Sequence, residues 1–87
     1  MHEWALTRAL LREIERIAAA HGEAKVLSAR VKFGAPLAAS VDHLRLHFSM
    51  LALGTVAEGA ELKIEVSQDP KVLSGAGFLL ESIELAD

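Results

Sequence analysis

Met1-His2-Glu3 is the group of residues in this chain best suited to chemistry. With Met1 as a free N-terminus, its α-amine, the backbone amide nitrogen of His2 and the His2 imidazole close two small chelate rings on one ion. The amide must lose its proton to bind, and only divalent ions with a strong preference for nitrogen make that favourable near neutral pH. A square plane of nitrogen and oxygen donors selects Ni(II) or Cu(II) over tetrahedral Zn(II). Glu3 offers the fourth donor through its amide or its carboxylate. A Met-His start alone is otherwise an ordinary solvated terminus.

Other reactive residues are sparse. His43 and His47 are four apart, a spacing that sets two imidazoles on one helix face and can bind a divalent ion. Without a third nearby ligand, the pair reads as exposed. His21 falls at a helix end, where a cation interacts well with the dipole, so capping is favoured over ligation. Ser40, Asp42 and His43 are neighbours on one turn and cannot converge as a triad. The glycines form no phosphate-cradling pattern. Nothing here argues for an enzyme.

The elements that must carry these residues follow from hydrophobic periodicity. A first helix is predicted over Glu3–Ala20, with Leu6, Leu10, Ile14 and Ile17 on one face. Trp4, the single tryptophan, reads as an anchor packing the N-terminal segment onto the domain. Gly22 suits a left-handed helix stop. A strand over Lys25–Phe33 alternates, with Leu27, Ala29, Val31 and Phe33 inward, before Gly34 and Pro36 end it. A second helix over Val41–Leu53 has Ser40 as N-cap and Asp42 in its first turn. Its core stripe is Val41, Leu44, Phe48 and Leu51, and Gly54 closes it. Leu46, Met50 and Leu53 widen its apolar surface. A strand over Ala60–Val66 alternates cleanly. The last strand, Gly77–Leu85, slips in phase, and a β-bulge near Glu81-Ser82 would turn Phe78, Leu80, Ile83 and Leu85 all inward.

The expected architecture is α+β: two helices packed on one face of a three-stranded sheet, ordered helix-strand-helix-strand-strand. The second and third strands are expected to pair as an antiparallel hairpin, turned through Pro70, Ser74 and Gly75. Arg30, Lys32, Glu61, Lys63 and Glu65 fall on the opposite, solvated face.

Composition bounds the function. Eighty-seven residues make one small domain, and a chain this size buries only ~60–65% of its unfolded surface. It has no cysteine, so neither a disulfide nor a thiolate-bound metal assists the fold. The net charge of −3 arises from nine basic and twelve acidic residues spread along the chain, with no basic cluster suited to nucleic acid. No apolar run reaches the ~18 residues of a membrane span. The opening residues do not show a basic segment followed by an apolar core. A cytoplasmic protein is expected.

Three segments resemble the HypA family, the nickel-insertion accessory proteins of [NiFe]-hydrogenase and urease. They are MHEWAL at 1–6, RVKFGAPLAASVDHLRLHFSMLALGTVAEGAELKIEV at 30–66, and LSGAGFLLESIELAD at 73–87. GTVAEGAELKIEV, at 54–66, is the most specific of these stretches. The resemblance departs at two places. The family carries two Cys-x-x-Cys pairs forming a zinc domain between its second and third strands, where this chain has only Ser67-Gln68-Asp69-Pro70-Lys71. The family also reads Gly-Glu-Leu after its first strand, where this chain reads Gly34-Ala35-Pro36-Leu37.

The resemblance implies a single HypA-like nickel-binding domain over 1–87 without the zinc domain, and no zinc is expected. Met1, His2 and Glu3 are the implied metal ligands and Ni(II) the implied cargo. The implied partners are a nickel-related GTPase and the hydrogenase large subunit or urease. A metal-free adaptor or regulatory interaction module of the same family is the alternative. The apolar surplus of Leu46, Met50 and Leu53 keeps a homo-oligomer open.

Overall fold

The computed structural model describes residues 3–35, 40–73, 75 and 77–87, with the side chain of Glu3 outside that set. The order is α1 (Glu3–Ala20), β1 (Val26–Gly34), α2 (Val41–Leu51), β2 (Glu61–Ser67), α3 (Pro70–Leu73) and β3 (Phe78–Leu85). The α+β class and the expected succession of long elements hold, and α1 has the bounds its periodicity predicts. The four-residue α3 is an addition. Helix α2 stops at Leu51, two residues short of the expected end, with Ala52 as C-cap. Pro36, Leu37 and Ser74, read from the sequence as parts of turns or loops, lie outside the described residues.

The chain leaves α1 through a tight stop. Gly22 and Glu23 both adopt positive φ, 76° and 61°. The Glu23 amide donates back to the Ala18 carbonyl at 2.9 Å, which satisfies one of the orphan acceptors at a helix end. His21 Nδ1 lies 2.9 Å from the Ile17 carbonyl, the capping role expected of it. Helix α2 starts at Ser40, whose side chain accepts from the His43 amide at 3.1 Å. This is the hydrogen bond that makes serine a good N-cap.

The sheet order is β2-β1-β3. Strand β1 runs parallel to β2 and antiparallel to β3. The expected β2–β3 hairpin is therefore wrong: the two strands occupy opposite edges. The reason lies in burial. Val26, Ala29, Val31 and Phe33 of β1 are each at most 1% exposed, so β1 takes the centre, the one position flanked on both sides. The connection after β2 crosses the end of β1 rather than folding straight back. Pro70 occupies the first helical position of α3, where its missing N–H costs nothing. The Asp69 carboxylate accepts from the Lys71 amide at 2.9 Å. Val72, fully buried, plugs that end of the core.

Two bulges correct the phase of β1 and β3. Val26 pairs Leu85 while Ser28 pairs Glu84, which leaves Leu27 as an extra residue in β1. Leu27 is consequently 42% exposed and not inward as simple alternation predicted; Val26 takes its place in the core. On the other strand Arg30 pairs Ser82 and Val31 pairs Leu80, so Glu81 is the extra residue. This is the bulge that the slipped alternation of β3 called for. Phe78, Leu80, Ile83 and Leu85 all pack against the core.

Helices α1 and α2 cover one sheet face, with Leu10, Leu11, Ile14, Ala18, Leu44 and Phe48 buried beneath them. The other face is charged. Lys32 lies 3.7 Å from Glu65 of β2 and 3.6 Å from Glu81 of β3, bridging the sheet's width.

The burial pattern of α2 makes a stability prediction. Leu44→Ala should destabilise the domain by about 2–5 kcal/mol, because it empties a packed site. Leu46→Ala, two residues on, should stay within about 0.5 kcal/mol. Urea unfolding of both variants checks this, and similar losses would mean that α2 is rotated from the orientation described.

Candidate functional site

Of the three residues selected by their chelating chemistry, Met1 and His2 lie outside the described residues. Glu3 is the first residue of α1. The proposed donors thus sit in the two residues before an 18-residue helix and at its first position. Among the described residues, no group of three or more His, Cys, Asp or Glu side chains is placed to hold a metal ion.

The structure does show what Trp4 packs against. Its ring stacks on His47 of α2, with centroids 3.9 Å apart and planes within 16°. This agrees with the reading of Trp4 as an anchor and identifies its counterpart. The Thr7 hydroxyl, fully buried, donates to the Trp4 carbonyl at 3.1 Å and ties the first turn of α1 from inside. Contacts between aromatic rings contribute about 0.5–1.5 kcal/mol beyond the area they bury.

His43 and His47 do share a helix face, with ring centroids 6.1 Å apart. The pair is not uniformly exposed, however. His47 is half-buried under Trp4 and His43 is exposed. Local pattern separates Trp4 from the histidine pair and gives no sign of their contact. The signal that could have joined them is angular. At 100° per residue, His43 and His47 lie on one flank of the Leu44–Phe48 stripe and Arg45 on the other. Arg45 reaches toward β2, its Nε donating to the Leu62 carbonyl at 3.2 Å. The histidine flank therefore faces the other neighbour, α1.

Two further surfaces stand out. Leu46, Met50 and Leu53 are 54%, 52% and 67% exposed, along the outer side of α2 and the turn after it. At the β2 edge, Arg30, Arg45, Lys63, Ile64 and Glu65 line an open cleft. Arg30 and Lys63 are register partners there.

With this geometry in view, comparison with known proteins gives a consistent picture. Residues 1–71 match the family model described as hydrogenase/urease nickel incorporation, metallochaperone, hypA. The hydrogenase maturation factor HypA of Desulfitobacterium hafniense (strain DSM 10664 / DCB-2) is 42% identical over 66 residues, 76% of this chain and 58% of that protein. The hydrogenase maturation factor HypA of Archaeoglobus fulgidus is 37% identical over 68 residues, 78% of this chain and 62% of that protein.

The model match and these relatives together place this small α+β domain in a known family. The chain belongs to the HypA family. It spans about three fifths of the length of these curated relatives. The fold is also that of the solution structure of the Ni metallochaperone HypA from Helicobacter pylori. That likeness has a TM-score of 0.76 at 19% identity and covers 98% of this chain and 97% of that one.

The ring stack is directly measurable, since Trp4 is the only tryptophan. His47→Ala should red-shift Trp4 emission and raise its quenching by acrylamide, as one face of the indole becomes wet. Emission and quenching unchanged from the parent protein would show that the stack does not persist in solution.

Proposed function

We propose that this chain is a nickel-binding, metallochaperone-like protein that delivers Ni(II) for [NiFe]-hydrogenase or urease maturation. Met1, His2 and Glu3 hold the ion. The observation that carries the reading is the chelating sequence Met1-His2-Glu3 at the head of a chain that belongs to the HypA family over residues 1–71. The names of its relatives and of its structural neighbour support the nickel and maturation roles.

The position suits the chemistry. Three nitrogens from two adjacent residues make a compact chelate that Ni(II) or Cu(II) favours over harder cations. A delivery site must also let go of its ion, because it releases its cargo by ligand exchange with a partner.

In this reading residues 1–87 form one nickel-binding domain without a zinc-binding domain. The segment 67–71 stands where the family carries its thiolate site, and the chain has no cysteine to build one. The partners are a nickel-related GTPase and the hydrogenase large subunit or urease, and the role is non-catalytic. A cytoplasmic location fits this role, and among the described residues no helix is long and apolar enough to cross a membrane. A second reading, a metal-free adaptor or regulatory module, draws on that same lack of cysteine and on the exposed Leu46, Met50 and Leu53.

Calorimetric titration with Ni(II) separates the two. Untagged protein with its authentic Met1 should bind one ion, and a version with one added N-terminal glycine should bind much more weakly. The added residue removes the amine from the chelate. No binding by the authentic protein, or equal binding by both, would give the adaptor reading the lead.

A further inference from the structure

Two cations face each other on the open side of the sheet. Arg30 of β1, set between the buried Ala29 and Val31, points away from the helices. Its register partner on β2 is Lys63, and both are exposed. Like charges directly opposite on neighbouring strands are destabilising. The register pair two residues on, Lys32 with Glu65, carries opposite charges and closes to 3.7 Å. Lys32 also reaches Glu81 at 3.6 Å. Arg30 and Lys63 have no such relief: among the described residues neither makes an ion pair or a side-chain hydrogen bond.

A third cation comes from the helical layer. Arg45 of α2 reaches the β2 edge, where its Nε donates to the Leu62 carbonyl at 3.2 Å. With Ile64 and Glu65, the three cations line one open cleft of about 360 Å³. Guarding an edge strand against further pairing needs charge of either sign. A carboxylate at position 63 would guard β2 and pair with Arg30 as well. Edge protection therefore does not account for a second cation there.

We propose that this cleft binds an acidic segment of a partner protein, with carboxylates seated among Arg30, Lys63 and Arg45. Guanidinium and carboxylate form strong charge-assisted hydrogen bonds. The surrounding charge limits the occupant. Glu61 and Glu65 flank Lys63 along β2, and Glu81 and Glu84 lie on β3. They repel a broad anionic surface, such as a bilayer or a nucleic-acid backbone, but leave room for a short segment. A lone small anion gains little from exposed side chains. Several carboxylates on one chain, with an apolar side chain against Ile64, add their contacts through a single tether. Arg45 already occupies the Leu62 carbonyl, so the segment is held by side chains rather than as an added strand. The cleft uses none of the proposed nickel ligands, and its test is independent of nickel binding.

The probe is a short fluorescein-labelled peptide rich in glutamate, beside one with glutamine in place of every glutamate. Anisotropy with the full chain should show the glutamate peptide binding at about 0.01 M salt and released at about 1 M, as the Debye length falls from about 30 Å to about 3 Å. The glutamine peptide should not bind. The chain carries a net charge of −3, so its overall field opposes the peptide and binding reports the cleft. Amide NMR signals of Arg30, Lys63 and Ile64 should shift on titration. Lys63→Glu should weaken binding about fivefold or more, because an exposed attraction becomes a repulsion. Its thermal midpoint should stay at or above the parent's, since Arg30 gains an opposite charge. Arg30→Gln should also weaken binding. Equal affinity for the two peptides, or undiminished binding in both variants, would overturn the proposal. It would equally fall if the peptide did not bind while inorganic phosphate or phosphatidylserine vesicles produced those shifts, or if protein concentration alone produced them, which would seat a second copy in the cleft.

Discussion

The rest of this structure depends on the burial of β1. It is the strand to which both others bond, and the inward residues Val26, Val31 and Phe33 are fully shielded from water. In a chain of 87 residues one sheet face must supply most of the core, because there is too little chain to cover two. The centre of that face goes to the strand with the greatest apolar demand. Strands β2 and β3 alternate with charges at Glu61, Lys63, Glu65, Glu81 and Glu84, so they take the edges, where charge also discourages further strand pairing. The helices then have a single surface to lie on, which brings α1 and α2 together and sets Trp4 over His47.

Most of the local structure was legible because it is encoded by short-range pattern. The spacing of Leu6, Leu10 and Ile14 fixes α1, and Ser40 marks the start of α2 by a hydrogen bond it makes three residues on. The phase slip between Leu80 and Ile83 demanded a bulge, and Glu81 is the bulged residue. What the sequence did not reveal is non-local. A ten-residue link between β2 and β3 reads as a turn, yet it crosses the end of β1 and folds into α3. Proximity in sequence favours a hairpin, and only the competition among three strands for the central position excludes it. Leu27 was misplaced for a related reason: where two apolar residues, Val26 and Leu27, are adjacent, alternation alone does not say which one faces inward, and the bulge decides it.

The candidate site divides along the same line. Its proposed ligands were legible because a chelate built from adjacent residues needs no fold to assemble it. The Trp4–His47 stack was not, because it joins residues 43 positions apart through the packing of two helices. Each partner was noticed alone, Trp4 as an anchor and His47 as half of a pair. The contact follows only when Arg45 is seen to claim the β2 side of α2, which leaves the histidine flank to α1.

A site of this kind needs two properties that oppose each other. Cargo must be held tightly enough to exclude competing ions, and loosely enough to pass on. A cage of side chains buried in a core would satisfy the first and defeat the second, since the core must open to release the ion. Donors that come before a helix in sequence, outside its packed stripe, avoid that requirement. The stack between the Trp4 indole and the His47 imidazole restrains the first turn of α1 that follows them. A contact of about 1 kcal/mol shifts an equilibrium only several-fold. It can therefore bias the packing of α1 on α2 without locking it. In the reading proposed, the ion passes by ligand exchange while the sheet and the packed faces of the helices stay as they are.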